Sequence, residues 1–171
     1  MKIAVLGASG RAGSEIVKEL ARRGHQITGI ARHPDKIPTA DNITPLAGDI
    51  NDAASLKTAL AGADAVVSAI MFVDTQPDQM IDLVKSAGVP RYLVVGGAGS
   101  LEVAPSVKLI DTPQFPEAYK SEATAGSVFL DRLKQETELD WTFLSPSAVF
   151  DGSQRTEAFR LGTDQLLSDE N

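Results

Sequence analysis

The sequence contains no cysteine and only two histidines, His25 and His33. The lack of cysteine excludes disulfide bonds and thiolate-ligated metals, and two histidines are too few for a His-rich metal site. No apolar run approaches the roughly 20 residues that a membrane-spanning helix requires. The apolar run at the N-terminus is also too short for a signal peptide. We therefore expect no bound metal, no contact with a membrane and a cytoplasmic location.

Basic residues are outnumbered as well: 16 Lys and Arg stand against 23 Asp and Glu, giving a net charge of −7. Nucleic-acid binders usually present a basic surface, because phosphate neutralisation supplies much of their affinity. The acidic balance therefore argues against that class, although it permits a local basic pocket. The chain has 171 residues, of which 43% are apolar, so we expect a single domain over residues 1–171 with a sizeable core.

Short apolar runs alternate with segments of helical periodicity along the chain. Strands are predicted at residues 3–6, 26–31, 43–47, 65–68, 91–95 and 141–144. Helices are predicted at residues 16–21, 53–60, 78–87 and 117–138, with Asp52 as an N-cap and with Gly24 and Gly88 as C-terminal glycines. The alternation predicts an α/β fold with a doubly wound parallel sheet, strand order 3-2-1-4-5-6 and helices on both faces.

Two segments are less regular. Residues 101–116 contain three prolines and are predicted as a long loop, which follows the fifth strand and so lies at the carboxyl edge of the sheet, where ligands bind. Residues 150–171 are predicted as an irregular tail, with short strands at 156–161 and 162–167. The tail is expected to contribute to the acceptor side of a ligand site.

The segment GASGRAG, residues 7–13, has the spacing G-x-x-G-x-x-G between a predicted strand and a predicted helix. The first glycine allows a tight turn, the second lets the backbone approach a pyrophosphate, and the third lets the helix pack closely on the sheet. The helix N-terminus then offers free N–H groups to phosphates. A turn without a ligand is the alternative, but the position in the chain favours dinucleotide binding by Gly7, Ala8, Ser9, Gly10, Arg11, Ala12 and Gly13.

The end of the second strand distinguishes NAD from NADP. An NAD site usually places an acidic residue there, whereas here the strand is followed by Arg32 and the next acid is Asp35. Arg32, with Arg11 in the glycine turn, can pair with a 2′-phosphate. The sequence therefore predicts that NADP(H) is preferred over NAD(H), with binding of NAD(H) still possible. In the alternative interpretation, both arginines lie on the solvated surface.

Residues after two further strands fit the same cleft. Asp49 can accept a hydrogen bond from the adenine amino group while Ile50 packs on the ring, although Asp49 can equally be a turn residue before Asp52. Ala69 and Ile70 follow the fourth strand, where small residues leave room for the coenzyme.

Five segments carry a resemblance to a known family: GASGRAG, GDIND, LVVGGAGSLEV, DTPQFPEAYK and DWTFLSPSAVF. They resemble the NmrA-like, NAD(P)-binding branch of the atypical short-chain dehydrogenases/reductases, and more narrowly the bacterial NADH-flavin reductase-like proteins. The resemblance implies a reduced nicotinamide coenzyme in an open cleft and a flavin or quinone-like acceptor beside it. The coenzyme positions that it implies are Gly7, Ser9, Gly10, Arg11, Arg32, Asp49, Ala69, Gly96, Gly97 and Pro146. Ala98 continues the glycine pair.

Catalytic candidates follow the fifth strand and begin the last helix. Ser100 occupies the place of a substrate-orienting serine, and Tyr119 with Lys120 can donate a proton or bind the nicotinamide ribose. Loop and surface roles are the alternatives, and Pro146 is either the wall behind the nicotinamide or a strand-ending proline. Met71, Phe72 and Phe150 are candidates for the acceptor site or for the core.

The chain departs from the family pattern in two ways. Tyr119 and Lys120 are adjacent and position 123 is alanine, so the usual Tyr-x-x-x-Lys spacing is absent. The family also usually continues with another strand and helix beyond the last residue here, so either the chain is shortened or its terminus is unusual, and an incomplete acceptor pocket is expected in both cases. The predicted function is an NADPH-dependent reductase of a flavin or quinone, as a monomer or homodimer. A non-catalytic sensor of the NADPH/NADP ratio is the alternative, and sugar-nucleotide epimerisation is a weaker one.

Overall fold

The computed structural model describes residues 1–150 and 158–168. Within them the strands are β1 (Lys2–Leu6), β2 (Gln26–Ala31), β3 (Ile43–Ala47), β4 (Ala65–Ser68), β5 (Arg91–Val95), β6 (Glu102–Ala104), β7 (Val107–Lys108) and β8 (Asp140–Leu144). The α-helices are α1 (Arg11–Arg22), α2 (Ala53–Leu60), α3 (Pro77–Ser86) and α4 (Glu117–Leu133). Short 3-10 turns cover Pro34–Lys36, Phe72–Asp74, Ala98–Ser100 and Leu109–Asp111. None of these helices is both long enough and apolar enough to cross a lipid bilayer.

The main sheet has the order β3-β2-β1-β4-β5-β8, and every neighbouring pair is parallel. The predicted fold class and strand order are therefore confirmed. The sixth strand of the prediction is β8 because two short strands precede it along the chain. Reversal of strand order between β1 and β4 creates a crevice at the carboxyl edge, as it does in other doubly wound sheets.

Side chains along β1 alternate between the two faces of the sheet, as the pleat requires. Ile3 and Val5 belong to the apolar cluster that contains Val17 of α1. Ala4 and Leu6 belong to the larger cluster, which contains the buried faces of α2, α3 and α4. The short apolar run of β1 is therefore buried on both faces, which is why it reads as continuous rather than alternating.

The helix ends show where local chemistry agrees with the prediction and where it does not. Asp52 is confirmed as the N-cap of α2, since its side chain accepts a hydrogen bond from the backbone N–H of Ser55 at 3.0 Å. The prediction for α4 is wrong beyond Leu133. The N–H groups of Gln135 and Glu136 bond three residues back, which tightens the last turn and ends the helix. The Glu136 carboxylate is instead held by Lys85 at 3.4 Å.

Residues 101–116, predicted as a loop, contain a small antiparallel hairpin formed by β6 and β7. The turn between the strands is Pro105–Ser106, and Ser106 has φ of 62°. Proline followed by a residue with positive φ is the pattern of a type II turn, so proline here starts a hairpin rather than excluding one. Lys108 joins the hairpin to α4 through Ser127 at 2.7 Å and Asp131 at 3.1 Å.

The tail predictions are wrong where they can be compared. Residues 158–161 have no regular secondary structure, and positions 156 and 157 lie outside the described residues. In the second predicted strand, Gln165 forms an isolated parallel bridge with Glu102 instead. The backbone bonds from Glu102 N to Asp164 O and from Leu166 N to Glu102 O, at 2.8 and 2.9 Å, attach this segment to the hairpin.

Candidate functional site

A cleft of about 370 Å³ lies at the carboxyl ends of β1, β2, β3 and β4. Its size is within the usual range for small-molecule sites. We call it the main cleft, and it is lined by Leu6, Gly7, Ser9, Gly10, Ile30, Ala31, Arg32, His33, Gly48, Asp49, Ile50, Asn51, Leu56, Ala69, Ile70, Met71 and Asp74. Eight of the residues predicted to bind coenzyme are among them: Gly7, Ser9, Gly10, Arg32, Asp49, Ile50, Ala69 and Ile70.

The glycine turn forms one wall of the main cleft. Gly7 has φ of +79°, and a Cβ there would lie only 2.5 Å from the carbonyl oxygen of Ala69. The N–H groups of Gly7 and Ala8 both bond to Ile30 O, at 2.9 and 3.1 Å, and Gly10 N bonds to Gly7 O at 2.9 Å. These bonds hold the turn between β1 and β2. The positive φ and the close carbonyl oxygen of Ala69 explain why its first position tolerates no side chain.

Helix α1 begins immediately after this turn. Gly10 is its N-cap, which gives no side-chain hydrogen bond to the helix, and the first turn contains no acidic residue. Within the described residues, no side chain of the helix itself therefore caps the first N–H groups of α1 or offsets the partial positive charge of its N-terminus. This chemistry suits an anionic group such as a diphosphate.

Arg32 and His33 follow β2 and lie on the second wall of the main cleft. Arg32 is exposed, and its side chain makes no ion pair or hydrogen bond with any residue in the described part of the chain. An arginine in this state retains all its donors for a ligand anion. The Asp49 carboxylate interacts with Arg32 through space, without a hydrogen bond between them.

Asp49, after β3, is a turn residue that also lines the main cleft, and its role as acceptor for the adenine amino group stays a prediction. Its Oδ1 accepts hydrogen bonds from the backbone N and from Nδ2 of Asn51, each at 2.9 Å. These bonds, with a smaller contribution from Arg32, hold the pKa of the Asp49 carboxyl below its usual value. The group therefore remains an ionised acceptor at neutral pH. Gln79 of α3 donates to Ile50 O at 3.1 Å and so fixes the next residue.

The other predicted coenzyme residues lie outside the main cleft. Gly96, Gly97 and Ala98 follow β5, and Pro146 follows β8, further along the same carboxyl edge. Gly96 N bonds to Leu144 O at 2.8 Å, and the ring of Phe143 occupies the space that a Cβ on Gly96 would fill.

Within the glycine turn, Ala8, Arg11, Ala12 and Gly13 do not line the main cleft either. Ala8 and Gly13 are buried. The Nη1 of Arg11 donates to the carbonyl oxygen of Phe150 at 3.1 Å, whereas Arg32 lines the main cleft. The predicted pair of arginines around one phosphate is therefore not assembled in this structure.

The three catalytic candidates occupy different environments. The Ser100 hydroxyl donates to Gly97 O at 3.2 Å, within the turn after β5. Tyr119 is 68% exposed, and Lys120 forms an ion pair with Glu117 at 3.5 Å. Both lie in the first turn of α4, and no hydrogen bond joins them to each other or to Ser100 within the described residues. Ala123 packs against Gly99, where a Cβ on the glycine would lie 2.8 Å away.

Several residues that line the main cleft were not predicted from the sequence, chiefly His33, Gly48, Asn51 and Asp74. Three of them lie within four residues of the end of β2 or β3, and this position after a strand is the signal that the sequence offers for them. Gly48 has a visible physical reason, because a Cβ there would lie 2.5 Å from Ile30 Cγ2. Asp74 belongs to the Phe72–Asp74 turn, which the sequence did not predict.

A glycine turn opening a helix at the crevice of a doubly wound sheet defines a dinucleotide-binding protein. The family to which the chain is similar supports the same class of protein. A sequence profile for the family described as NAD(P)H-binding matches residues 7–170. The chain belongs to this family, and its resemblance to the atypical short-chain dehydrogenases/reductases is confirmed. It is thus an NAD(P)H-binding protein of an oxidoreductase-like family.

Individual relatives span nearly the whole chain. The protein YwnB of Bacillus subtilis, whose name describes it as uncharacterized, is 38% identical over 98% of this chain and 82% of its own. A solved structure of a "putative NADH-flavin reductase" from Streptococcus pneumoniae is 37% identical, with a TM-score of 0.83 over 99% of this chain and 83% of that one. A "putative epimerase" from Bacteroides thetaiotaomicron is 38% identical, with a TM-score of 0.90 over 97% of this chain and 80% of that one.

Proposed function

We propose that this protein is a reductase that prefers NADPH and transfers a hydride to a free flavin or a quinone-like acceptor. The observation that carries the coenzyme preference is Arg32, a cation without an ion-pair partner among the described residues, on the wall of the main cleft beside the glycine turn. A carboxylate at this position would instead favour the ribose hydroxyls of NADH. His33 adds a neighbouring donor for the same phosphate.

The chain's own residues bind and orient the coenzyme in this proposal. The glycine turn and the N-terminus of α1 hold the diphosphate, Asp49 accepts from the adenine amino group, and Ile50 packs on the ring. When bound, the reduced nicotinamide supplies the hydride, and the protein contributes chiefly position. The diphosphate site at the glycine turn directs the nicotinamide toward the ends of β5 and β8, where Gly96, Gly97, Ala98 and Pro146 lie.

The acceptor is assigned to the open end of the carboxyl edge. Three exposed side chains are proposed to contact its planar ring: Met71, which lines the main cleft and is 55% exposed, Tyr119, which is 68% exposed, and Phe150, which is 50% exposed. The Streptococcus pneumoniae relative, named for NADH and flavin, supports the same acceptor class. Ser100, Tyr119 and Lys120 are proposed to orient the acceptor or to supply a proton, and a flavin needs little of either.

A non-catalytic sensor of the NADPH/NADP ratio is the second candidate. Two observations favour it: Ala123 replaces the lysine of the usual dyad, and the neighbouring Lys120 is paired with Glu117. Such a protein would bind the coenzyme and report its redox state to a protein partner without turning it over.

One assay separates the two candidates. NADPH absorbance is followed with the protein alone and then with FMN, riboflavin or a soluble quinone added. Consumption that requires both protein and acceptor supports the reductase. Tight binding of NADPH without consumption, across all of these acceptors, supports the sensor and contradicts the reductase.

We also propose a cytoplasmic monomer or homodimer, because reduced nicotinamide coenzymes are supplied in the cytoplasm. A Burkholderia pseudomallei relative that is 43% identical is described as a "putative exported protein", which makes export the alternative outcome for location. Cell fractionation and gel filtration address location and assembly separately.

A further inference from the structure

Glu122, on α4, reaches across to a turn that lies 50 positions earlier in the sequence. Its Oε1 accepts a hydrogen bond from the backbone N of Phe72 at 2.7 Å, and its Oε2 accepts one from the backbone N of Val73 at 3.0 Å. These N–H groups begin the Phe72–Asp74 turn, which has no side-chain cap from its own N-cap residue. The carboxylate of α4 therefore caps this turn with both of its oxygens.

The same face of α4 also holds the side chain of Phe72. One turn beyond Glu122, a Cβ on Gly126 would lie 2.9 Å from Phe72 Cδ2, so the ring packs directly on the helix backbone. The rings of Phe129 and Phe143 lie with their centroids 5.3 and 5.7 Å from that of Phe72. The turn is thus fixed to α4 by two charge-assisted hydrogen bonds and by aromatic packing.

The residues on either side of this contact form part of the main cleft. Ile70, Met71 and Asp74 all line the main cleft, although Phe72 between them is buried against α4. Ala69, which precedes them, lies against Gly7 so closely that the glycine can carry no Cβ. The position of the Phe72–Asp74 turn therefore sets the wall that faces the glycine turn.

We infer that Glu122 is a positioning residue for coenzyme binding: it holds the 69–74 wall of the main cleft in the conformation that accepts NADPH. The inference rests on the proposed function, because it assumes that NADPH occupies the main cleft. Without the carboxylate, the two N–H groups lose their charged acceptor and the wall samples other conformations. The apparent dissociation constant then rises in proportion to the fraction of molecules whose wall is displaced.

The test is the substitution Glu122→Gln, with dissociation constants for NADPH and NADH measured by fluorescence titration. Loss of a hydrogen bond to a charged acceptor corresponds to roughly a tenfold effect or more, so we expect both dissociation constants to rise about tenfold. We expect kcat at saturating NADPH to stay within about twofold of wild type, because Glu122 contacts neither substrate. The direction of this change separates the inference from a simple charge effect. Removal of a negative charge would by itself strengthen the binding of an anionic coenzyme and lower the dissociation constants.

A matched control is Glu138→Gln, which makes the same chemical change and breaks an ion pair with Lys85 of 2.5 Å outside the main cleft. Because Glu138 is 74% exposed, the change is expected to affect stability little and to leave both dissociation constants unchanged. Amide exchange of Phe72 and Val73, measured by NMR without coenzyme, should be faster in Glu122→Gln than in wild type. This second measurement is independent of activity.

The outcomes are distinct. Coenzyme affinity equal to wild type in folded Glu122→Gln overturns the inference, as does an equal loss in Glu138→Gln. If Glu122→Gln does not fold, Glu122→Asp replaces it, because the shorter side chain cannot reach both N–H groups. Wild-type affinity in that variant also overturns the inference. Wild-type protein that binds neither coenzyme contradicts the proposed function itself, and the inference falls with it.

Discussion

The carbonyl group of Gly7 lies against Gly13, so closely that a Cβ on Gly13 would overlap the oxygen and come within 2.8 Å of the carbonyl carbon. The contact joins the end of β1 to the first turn of α1. It gives the third glycine of the G-x-x-G-x-x-G motif a structural task that differs from binding, because Gly13 is buried and does not line the main cleft.

Gly13→Ala should therefore destabilise the protein and weaken coenzyme binding together. Forcing a methyl group into a packed contact of this kind costs about 1–3 kcal/mol, and the glycine turn must shift to admit it. Urea unfolding followed by circular dichroism measures the first effect, and NADPH titration measures the second.

Gly97→Ala is the control for stability, since nothing lies within 4 Å of its Cβ position. Its φ of −145° suits any residue, so its free energy of unfolding should stay within about 1 kcal/mol of wild type. A Gly13→Ala variant as stable as Gly97→Ala would contradict the close contact.

Arg32→Ala tests the coenzyme preference. A bidentate pair between guanidinium and phosphate is among the stronger charge-assisted contacts, so we expect NADPH to bind about ten- to a hundredfold more weakly. NADH lacks the 2′-phosphate, and its dissociation constant should change by less than about threefold. Titration of both coenzymes into both proteins gives the four constants that are needed.

Arg23→Ala is the matched control, because Arg23 is an exposed arginine at the far end of α1 that pairs with Glu19 at 2.7 Å. It should leave both dissociation constants unchanged. Equal losses of NADPH and NADH in Arg32→Ala would remove the specificity argument, and would instead resemble the pattern expected for Glu122→Gln.

Much of this fold is predictable from short-range patterns. The run of apolar residues in β1, the glycines that follow and the alternation of strand and helix together determine the parallel sheet, because right-handed crossovers leave few arrangements. Asp52 was predictable as a cap because its partner, Ser55, lies three residues away. The same holds for the end of β2, where Arg32 reaches the main cleft directly from the strand.

Features that depend on distant partners were not predictable. Glu122 looks like any partly polar helix position until Phe72 is placed beside it by the packing of α4. The β6–β7 hairpin was hidden because its strands are only three and two residues long, too short for a period to emerge. Arg11 has a basic side chain in a phosphate-binding motif, yet its contact with Phe150, which lies 139 positions away, takes it out of the main cleft.

Asp52→Ala tests whether the cap of α2 matters beyond local stability. Loss of an N-cap side chain costs about 1 kcal/mol, so the melting temperature should fall by a few degrees. Because α2 follows Asp49 and Asn51 directly, we expect NADPH affinity to fall as well, by about two- to threefold. Asp52→Asn retains the acceptor oxygen and should restore most of both losses in calorimetry and titration; failure to do so would point to the charge rather than the cap.

Tyr92→Phe addresses a tyrosine hydroxyl that is buried in the core. Tyr92 is fully buried in β5, and its hydroxyl has no hydrogen-bond partner of normal geometry among the described residues. Burial raises the pKa of Tyr92 far above its usual range, and the nearby Ser68 hydroxyl opposes this only weakly. Removing a polar atom without a partner should leave stability at neutral pH unchanged or raise it by about 1 kcal/mol.

The raised pKa of Tyr92 predicts that the stability of the folded protein falls at high pH. The folded-state pKa of Tyr92 lies above that of the unfolded chain, so above about pH 10 the unfolded chain releases the phenolic proton and the folded protein retains it. The free energy of unfolding of the wild type should therefore fall by about 1.4 kcal/mol for each further pH unit because of Tyr92. Tyr92→Phe should lack this contribution to the loss of stability. Urea unfolding at about pH 8 and about pH 11 measures the difference. Tyr119→Phe, at a residue 68% exposed, is the matched control for removal of a phenolic hydroxyl outside the core. If Tyr92→Phe loses as much stability at high pH as wild type, then water or another group must already solvate the Tyr92 hydroxyl.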